Sequence, residues 1–95
     1  MVQPEKPRSK IRIYMDILQA IRDDGGVAKP THILQKANLS HDRLTKHLGE
    51  LVDKKLVSEN QENGNRYYTL TENGIKFLAE LEKAESFVAG FGLAF

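Results

Sequence analysis

Ninety-five residues, a formal net charge of +1 and no cysteine bound the problem. That length suits one domain, a chain without thiols has no disulfide and no thiolate metal site, and no run approaches the roughly 20 apolar residues of a membrane span. The stretch MVQPEKPRSK carries charges and prolines but no apolar signal core, so a soluble, cytoplasmic domain is expected.

The charge is unevenly spread. Residues 1–50 hold nine Lys/Arg against six Asp/Glu, and residues 51–95 hold five against seven. The basic excess lies at Lys6, Arg8, Lys10 and Arg12. A local basic face suits a nucleic-acid binder, and a solvated leader accounts for it as well.

Pro4 and Pro7 keep residues 1–8 irregular, giving a flexible basic leader. Ser9 caps a first helix in which Ile11, Tyr14, Leu18 and Ile21, with Ile17 beside them, make an inward face. Asp23-Asp24-Gly25-Gly26 ends it. Val27-Ala28 allow a very short strand. Pro30 fits the first turn of a second helix, with Ile33 and Leu34 inward. Asn38-Leu39-Ser40 breaks that helix, and Ser40 caps a third. Its buried stripe is Leu44, Leu48, Leu51 and Val52, and it ends near Lys54. Two β-prone runs flanking Asn63-Gly64 predict a hairpin. Thr71 then caps a last helix carrying Ile75, Leu78 and Leu81, with Ile75 and Leu78 on the face that packs on the domain.

Three helices and a hairpin, with a fourth helix behind, give an α+β, mostly helical architecture: a winged helix-turn-helix over residues 9–71, then a C-terminal helix and apolar tail over 72–95. The direct run from strand to helix at RYYTLTENGIKFL fits it. The second hairpin strand returns to the core and leaves at once as a helix, with the Thr71 hydroxyl capping free N–H groups.

The stretches ANLSHDRLTKHLGELVDKKLV and RYYTLTENGIKFLAELE resemble the small archaeal winged-helix DNA-binding proteins and transcriptional regulators whose last helix forms a dimer. They cover Ala37–Val57 and Arg66–Glu82. The pattern Tyr68-x-Leu70-Thr71-x-x-Gly74 is shared by many winged-helix families, so it speaks for the fold more than for a target. Two departures stand out. Lys55 occupies a position after the third helix where such proteins often have glycine, and a positive φ there carries strain. The wing sets Arg66 against Glu59 and Glu62, where the wings of DNA-holding relatives often carry several cations.

With Leu48 inward and about 100° per residue, the opposite stripe of the third helix holds Asp42, Arg43, Lys46, Glu50 and Asp53. The N-terminal half of a recognition helix reaches base edges. Arg43 and Lys46 are therefore placed nearest DNA, with Ser40, His41, Asp42 and Thr45 around them, against the reading of an ordinary solvated face. Further phosphate contacts are assigned to Arg12, Lys29, Thr31, Lys36 and, on the wing, Arg66. Thr31 also suits plain helix capping, although the start of the second helix offers free N–H groups to an anion. One of Tyr67 and Tyr68 belongs to the core.

Ser40-His41-Asp42 spells the letters of a catalytic triad, but three successive residues cannot form that relay. His32, His41 and His47 lack the spacing of a metal site. Neither an enzyme nor a cofactor is expected.

In the last helix Phe77, Leu81, Ala84, Val88, Phe91 and Phe95 are spaced four, three, four, three and four, a heptad seam. Left bare it would be an unfavourable apolar patch. A homodimer through this helix is expected, with a tail folded back on its own domain as the alternative, since Gly90 and Gly92 weaken a helix. The functional expectation is a double-stranded DNA-binding protein, a transcriptional regulator or small chromatin protein; a winged-helix protein-interaction module without DNA binding is the alternative.

Overall fold

The structure, a computed structural model, describes residues 7–95. Residues 1–6 of the expected 1–8 leader, Lys6 among them, lie outside the described residues. The elements run α1 (Lys10–Asp23), β1 (Val27–Ala28), α2 (Pro30–Ala37), α3 (His41–Asp53), β2 (Val57–Glu62), β3 (Asn65–Leu70) and α4 (Glu72–Ala89). The strands form one antiparallel sheet in the order β1-β3-β2.

Each helix starts where a hydroxyl satisfies a free amide, except α2. Ser9 accepts from Arg12 N–H, Ser40 from Arg43 N–H and Thr71 from Gly74 N–H. In α2 Pro30 occupies the start and Lys29 makes no side-chain cap bond. Asn38 (φ 53°) and Lys55 (φ 63°) take the left-handed conformation that ends α2 and α3. After α3, Lys55 N–H bonds to Val52 O and Leu56 N–H to Leu51 O, the paired bonds of a glycine-type stop made here by a lysine. Asn63 (φ 53°) and Gly64 (φ 79°) form the two-residue turn between β2 and β3, both with the positive φ that the twist of a hairpin requires.

The core is continuous. Ile17, Leu18 and Ile21 of α1 meet Ile33 of α2, Leu44, Leu48 and Leu51 of α3, Val57, Tyr68 and Leu70 of the hairpin and Leu78 of α4. Tyr68 is the core tyrosine and Tyr67 is half-buried.

Three expectations change. Ile11 is exposed and Ile13 takes the inward place, because α1 is covered on two sides and its apolar stripe is wider than one face. Ile75 is 58% exposed, and Leu78 alone of that pair is buried. Arg8 is not in a free leader. Its guanidinium donates to Asp16 Oδ2 (2.8 Å), Ala37 O (2.6 Å) and Asn38 O (2.7 Å), tying the start of α1 to the turn between α2 and α3. These carbonyls close α2 and need donors.

Candidate nucleic-acid interface

The placement of α3 is held at its start and along its buried face. At its start, Arg8 holds the preceding turn, and Leu39 is buried beneath it. Midway, Leu44, Leu48 and Leu51 anchor one face, and His47 is 6% exposed beside them. The opposite face is left outward: Ser40, His41, Asp42, Arg43, Thr45 and Lys46 are all exposed. Neither Arg43 nor Lys46 has a side-chain partner among the described residues. Thr45 Oγ1 donates to His41 O (2.9 Å), so its hydroxyl is bound to its own helix. His41 Nδ1 and Asp42 Oδ1 lie 3.9 Å apart at almost full exposure, a contact that solvent screens.

Glu50, expected on the outward stripe, turns toward α1. Its Oε1 lies 2.9 Å from His47 Nδ1 and accepts from the Tyr14 hydroxyl at 2.9 Å, while Oε2 accepts from Lys10 Nζ at 3.1 Å. The bonds from His47, Lys10 and Tyr14 hold its carboxyl down to about 2. Burial, and then the neighbouring carboxylate, push the Tyr14 phenol up to about 12. The Tyr14 and His47 rings meet edge to face at 6.0 Å. This clamp between α1 and α3 was not legible as a unit. Its one local signal was the i, i+3 spacing of His47 and Glu50, and its consequence is that Glu50 and Lys10 neutralise each other beside the outward face.

The other sequence-assigned cations have different fates. Arg12 does not reach the α3 surface. It donates to Asp16 Oδ1 (2.8–2.9 Å) and to Glu85 of α4, bridging α1 and α4. Burial acts to lower its pKa, but the bonds and charges of Asp16 and Glu85 outweigh that and raise it. Lys36 Nζ lies 4.0 Å from Asp23. Arg66 is paired with Glu59 at 2.8 Å, across the hairpin. It nonetheless faces α3: a groove of about 300 Å³ is bounded by Thr45, Gly49 and Asp53 on one side and Glu59 and Arg66 on the other. Lys29 and Thr31 are exposed at the start of α2. Lys54 and Lys55, exposed at the end of α3, are further cations to which the sequence reading assigned no phosphate contact.

The structure thus collects Ser40, His41, Asp42, Arg43, Thr45 and Lys46 on one surface, sets Arg66 across a groove from it, and withdraws Arg12. On the seam of α4, Phe77 packs partly on its own core, Leu81, Val88 and Phe95 are half-buried, and Ala84 and Phe91 are exposed. Among the described residues no three His, Asp or Glu side chains are grouped to hold a metal ion, and no helix is long and apolar enough to cross a membrane.

A family model described as winged helix-turn-helix matches residues 7–88. No curated protein matches the sequence. Among solved structures, the fold is similar to Sso10a-2, a DNA-binding protein from Sulfolobus solfataricus, with a TM-score of 0.80 and 21% identity over 88% of this chain and 85% of that one. A winged-helix DNA-binding protein from STIV matches with a TM-score of 0.67 and 24% identity over 81% of this chain and 89% of that one. The transcriptional regulator BldR from Sulfolobus solfataricus matches with a TM-score of 0.75 and 15% identity over 85% of this chain, which spans only 59% of BldR. At these identities the likeness establishes the fold.

Proposed function

Because the chain belongs to the winged helix-turn-helix family, we propose that it binds double-stranded DNA as a transcriptional regulator or small chromatin-associated protein, without catalysing a reaction. The observation that carries this reading is the pair Arg43 and Lys46. They are cations without partners among the described residues, one turn apart on the outward face of a capped helix whose other face is locked in the core. An α-helix fits the major groove, and its N-terminal residues meet base edges there. The proteins it resembles in fold are described as DNA-binding or as regulators, which supports the same reading.

Affinity comes from counterion release as Arg43, Lys46, Lys29 and the amides at Thr31 meet phosphates. Ser40, His41, Asp42 and Thr45 border the bases. Lys36 and Arg66 contribute only by exchanging a carboxylate for a phosphate. Arg12 is removed from this set, since its guanidinium is consumed between α1 and α4.

The protein acts as a homodimer in the cytoplasm, through a seam of Leu81, Ala84, Val88, Phe91 and Phe95 with Phe77 shared between seam and core. The motive is the apolar surface that one chain leaves on α4 and just beyond its end, where Phe87 and Phe91 are each 71% exposed.

Titration of random-sequence and genomic duplexes across a range of salt tests the function. Log affinity should fall linearly with log salt, by about 0.9 for each phosphate engaged. A flat dependence would refute phosphate-driven binding.

A further inference from the structure

The groove between α3 and the hairpin has a charge balance of its own. Asp53 of α3 and Glu59 and Arg66 of the hairpin bound it, so two carboxylates stand against one guanidinium. In the ladder Glu59 lies opposite Tyr68, and Gln61 opposite Arg66. Side chains alternate between the two faces of a strand. Glu59 and Arg66 therefore share the hairpin face of Tyr68, the face turned to α3, as diagonal neighbours within reach of each other. Arg66 Nε donates to Glu59 Oε1 at 2.8 Å. Asp53, on the other wall, is exposed and has no side-chain partner among the described residues.

The groove has room for a nucleic-acid backbone. A Cβ added at Gly49 would meet no neighbouring atom within 4 Å. Thr45, one turn before Gly49, belongs both to the groove and to the surface proposed to border the bases. A duplex seated on that surface runs a phosphate strand past the groove, and among the described residues that bound it Arg66 is the one cation. To take a phosphate, Arg66 must leave Glu59, and Glu59 then stands as a bare carboxylate beside the same phosphate. The attraction gained is offset by the attraction lost and the repulsion added, because all these charges share one groove.

We propose that Glu59 limits the hold of this protein on DNA: by engaging Arg66 it withholds a phosphate contact from the hairpin and leaves binding to α3 and the start of α2. Phosphate contacts carry no sequence information, so Glu59 lowers affinity for every duplex alike. The inference rests on the reading that α3 meets duplex DNA, and the test separates the two.

Salt titration of a random-sequence duplex compares wild type with three variants, all at exposed positions. Glu59→Gln keeps the side-chain shape and releases Arg66. It should bind about five- to tenfold more tightly than wild type at 0.1 M salt, with a slope steeper by about 0.9, as one added phosphate requires. Glu59→Gln with Arg66→Gln restores the wild-type net charge of the groove without the cation, so its affinity should return to within about twofold of wild type. Glu62→Gln makes the same change of net charge at the hairpin tip, where Glu62 faces no cation among the described residues. Screening should hold its effect to about twofold or less. A Glu59→Gln chain that binds like wild type places Arg66 out of reach of DNA and overturns the inference. So does a double variant markedly weaker than wild type, since Arg66 would then already hold a phosphate. Glu62→Gln matching Glu59→Gln overturns it as well, by reducing the effect to overall charge. Each of these results leaves duplex binding intact, whereas a wild-type chain without salt-dependent binding removes both readings.

Discussion

Gly74 lies so close to Leu56 that a Cβ on it would overlap the Leu56 carbonyl oxygen. The same carbonyl accepts from Thr71 N–H at 3.2 Å. The Thr71 hydroxyl in turn donates to Lys55 O at 2.7 Å and accepts from Gly74 N–H at 3.0 Å. The first turn of α4 is thus packed backbone against backbone on the connection from α3 to β2. This close approach explains why β3 passes into α4 without a loop: the strand ends where the cap begins.

Gly74→Ala should therefore destabilise the fold by about 3 kcal/mol, the cost of overpacking where the neighbour is backbone and cannot move aside. Thermal melting would read this as a drop of roughly 12–24 °C. A change within a degree or two would mean that the α4 cap relaxes freely.

Acid should loosen the clamp between α1 and α3. The Glu50 carboxyl lies at about 2 in the folded chain, below the ordinary value of 4.5, so between those values the unfolded chain binds more protons. Its contribution to stability is present above about pH 4.5 and is lost as pH falls toward 2. The Tyr14 phenol, at about 12, contributes below about pH 10 and loses its share as pH rises toward 12. Melting curves from pH 2 to pH 6 should show wild type more stable than Glu50→Gln at the upper end and the gap closing at the lower end. Parallel curves would show that Glu50 carries no linkage.

Arg43→Glu with Lys46→Glu should weaken duplex binding tenfold or more at 0.1 M salt and reduce the salt slope by about 0.9 for each phosphate that is no longer neutralised. Circular dichroism should show an unchanged fold, since both side chains point away from the core. Retained affinity would place the binding surface elsewhere.

Arg12→Ala makes the opposite split. The salt slope should stay as in wild type, while stability falls by about 1.5–3 kcal/mol because the charged hydrogen bonds to Asp16 and Glu85 are removed. A reduced slope at unchanged stability would return Arg12 to the phosphate-binding set.

Leu81→Lys should shift the sedimentation equilibrium to monomer. A symmetric dimer loses this residue twice; since Leu81 is already half-buried on its own chain, the remaining burial, about 1 kcal/mol each time, raises the dissociation constant about tenfold or more. An unaffected dimer would exclude the seam.

The sequence by itself determined the order and type of the elements. Ser9, Ser40 and Thr71 cap helices, Asn63-Gly64 turns the hairpin, and apolar spacing marks which side of α3 is buried. These signals work because capping, turn formation and periodicity act over a few residues. The tertiary structure alone decided the use of the charges. Arg8 reaches carbonyls 29 and 30 residues away, Lys10 and Tyr14 meet Glu50 across 40 and 36 residues, and Arg12 meets Glu85 across 73. It also decided that Ile13 is inward rather than Ile11, and that Ile75 stays outside. A long side chain takes the nearest partner in space, and that partner exists only once the helices have packed; until then Arg12 and Arg43 are equally cationic, and afterwards only Arg43 faces outward without a partner.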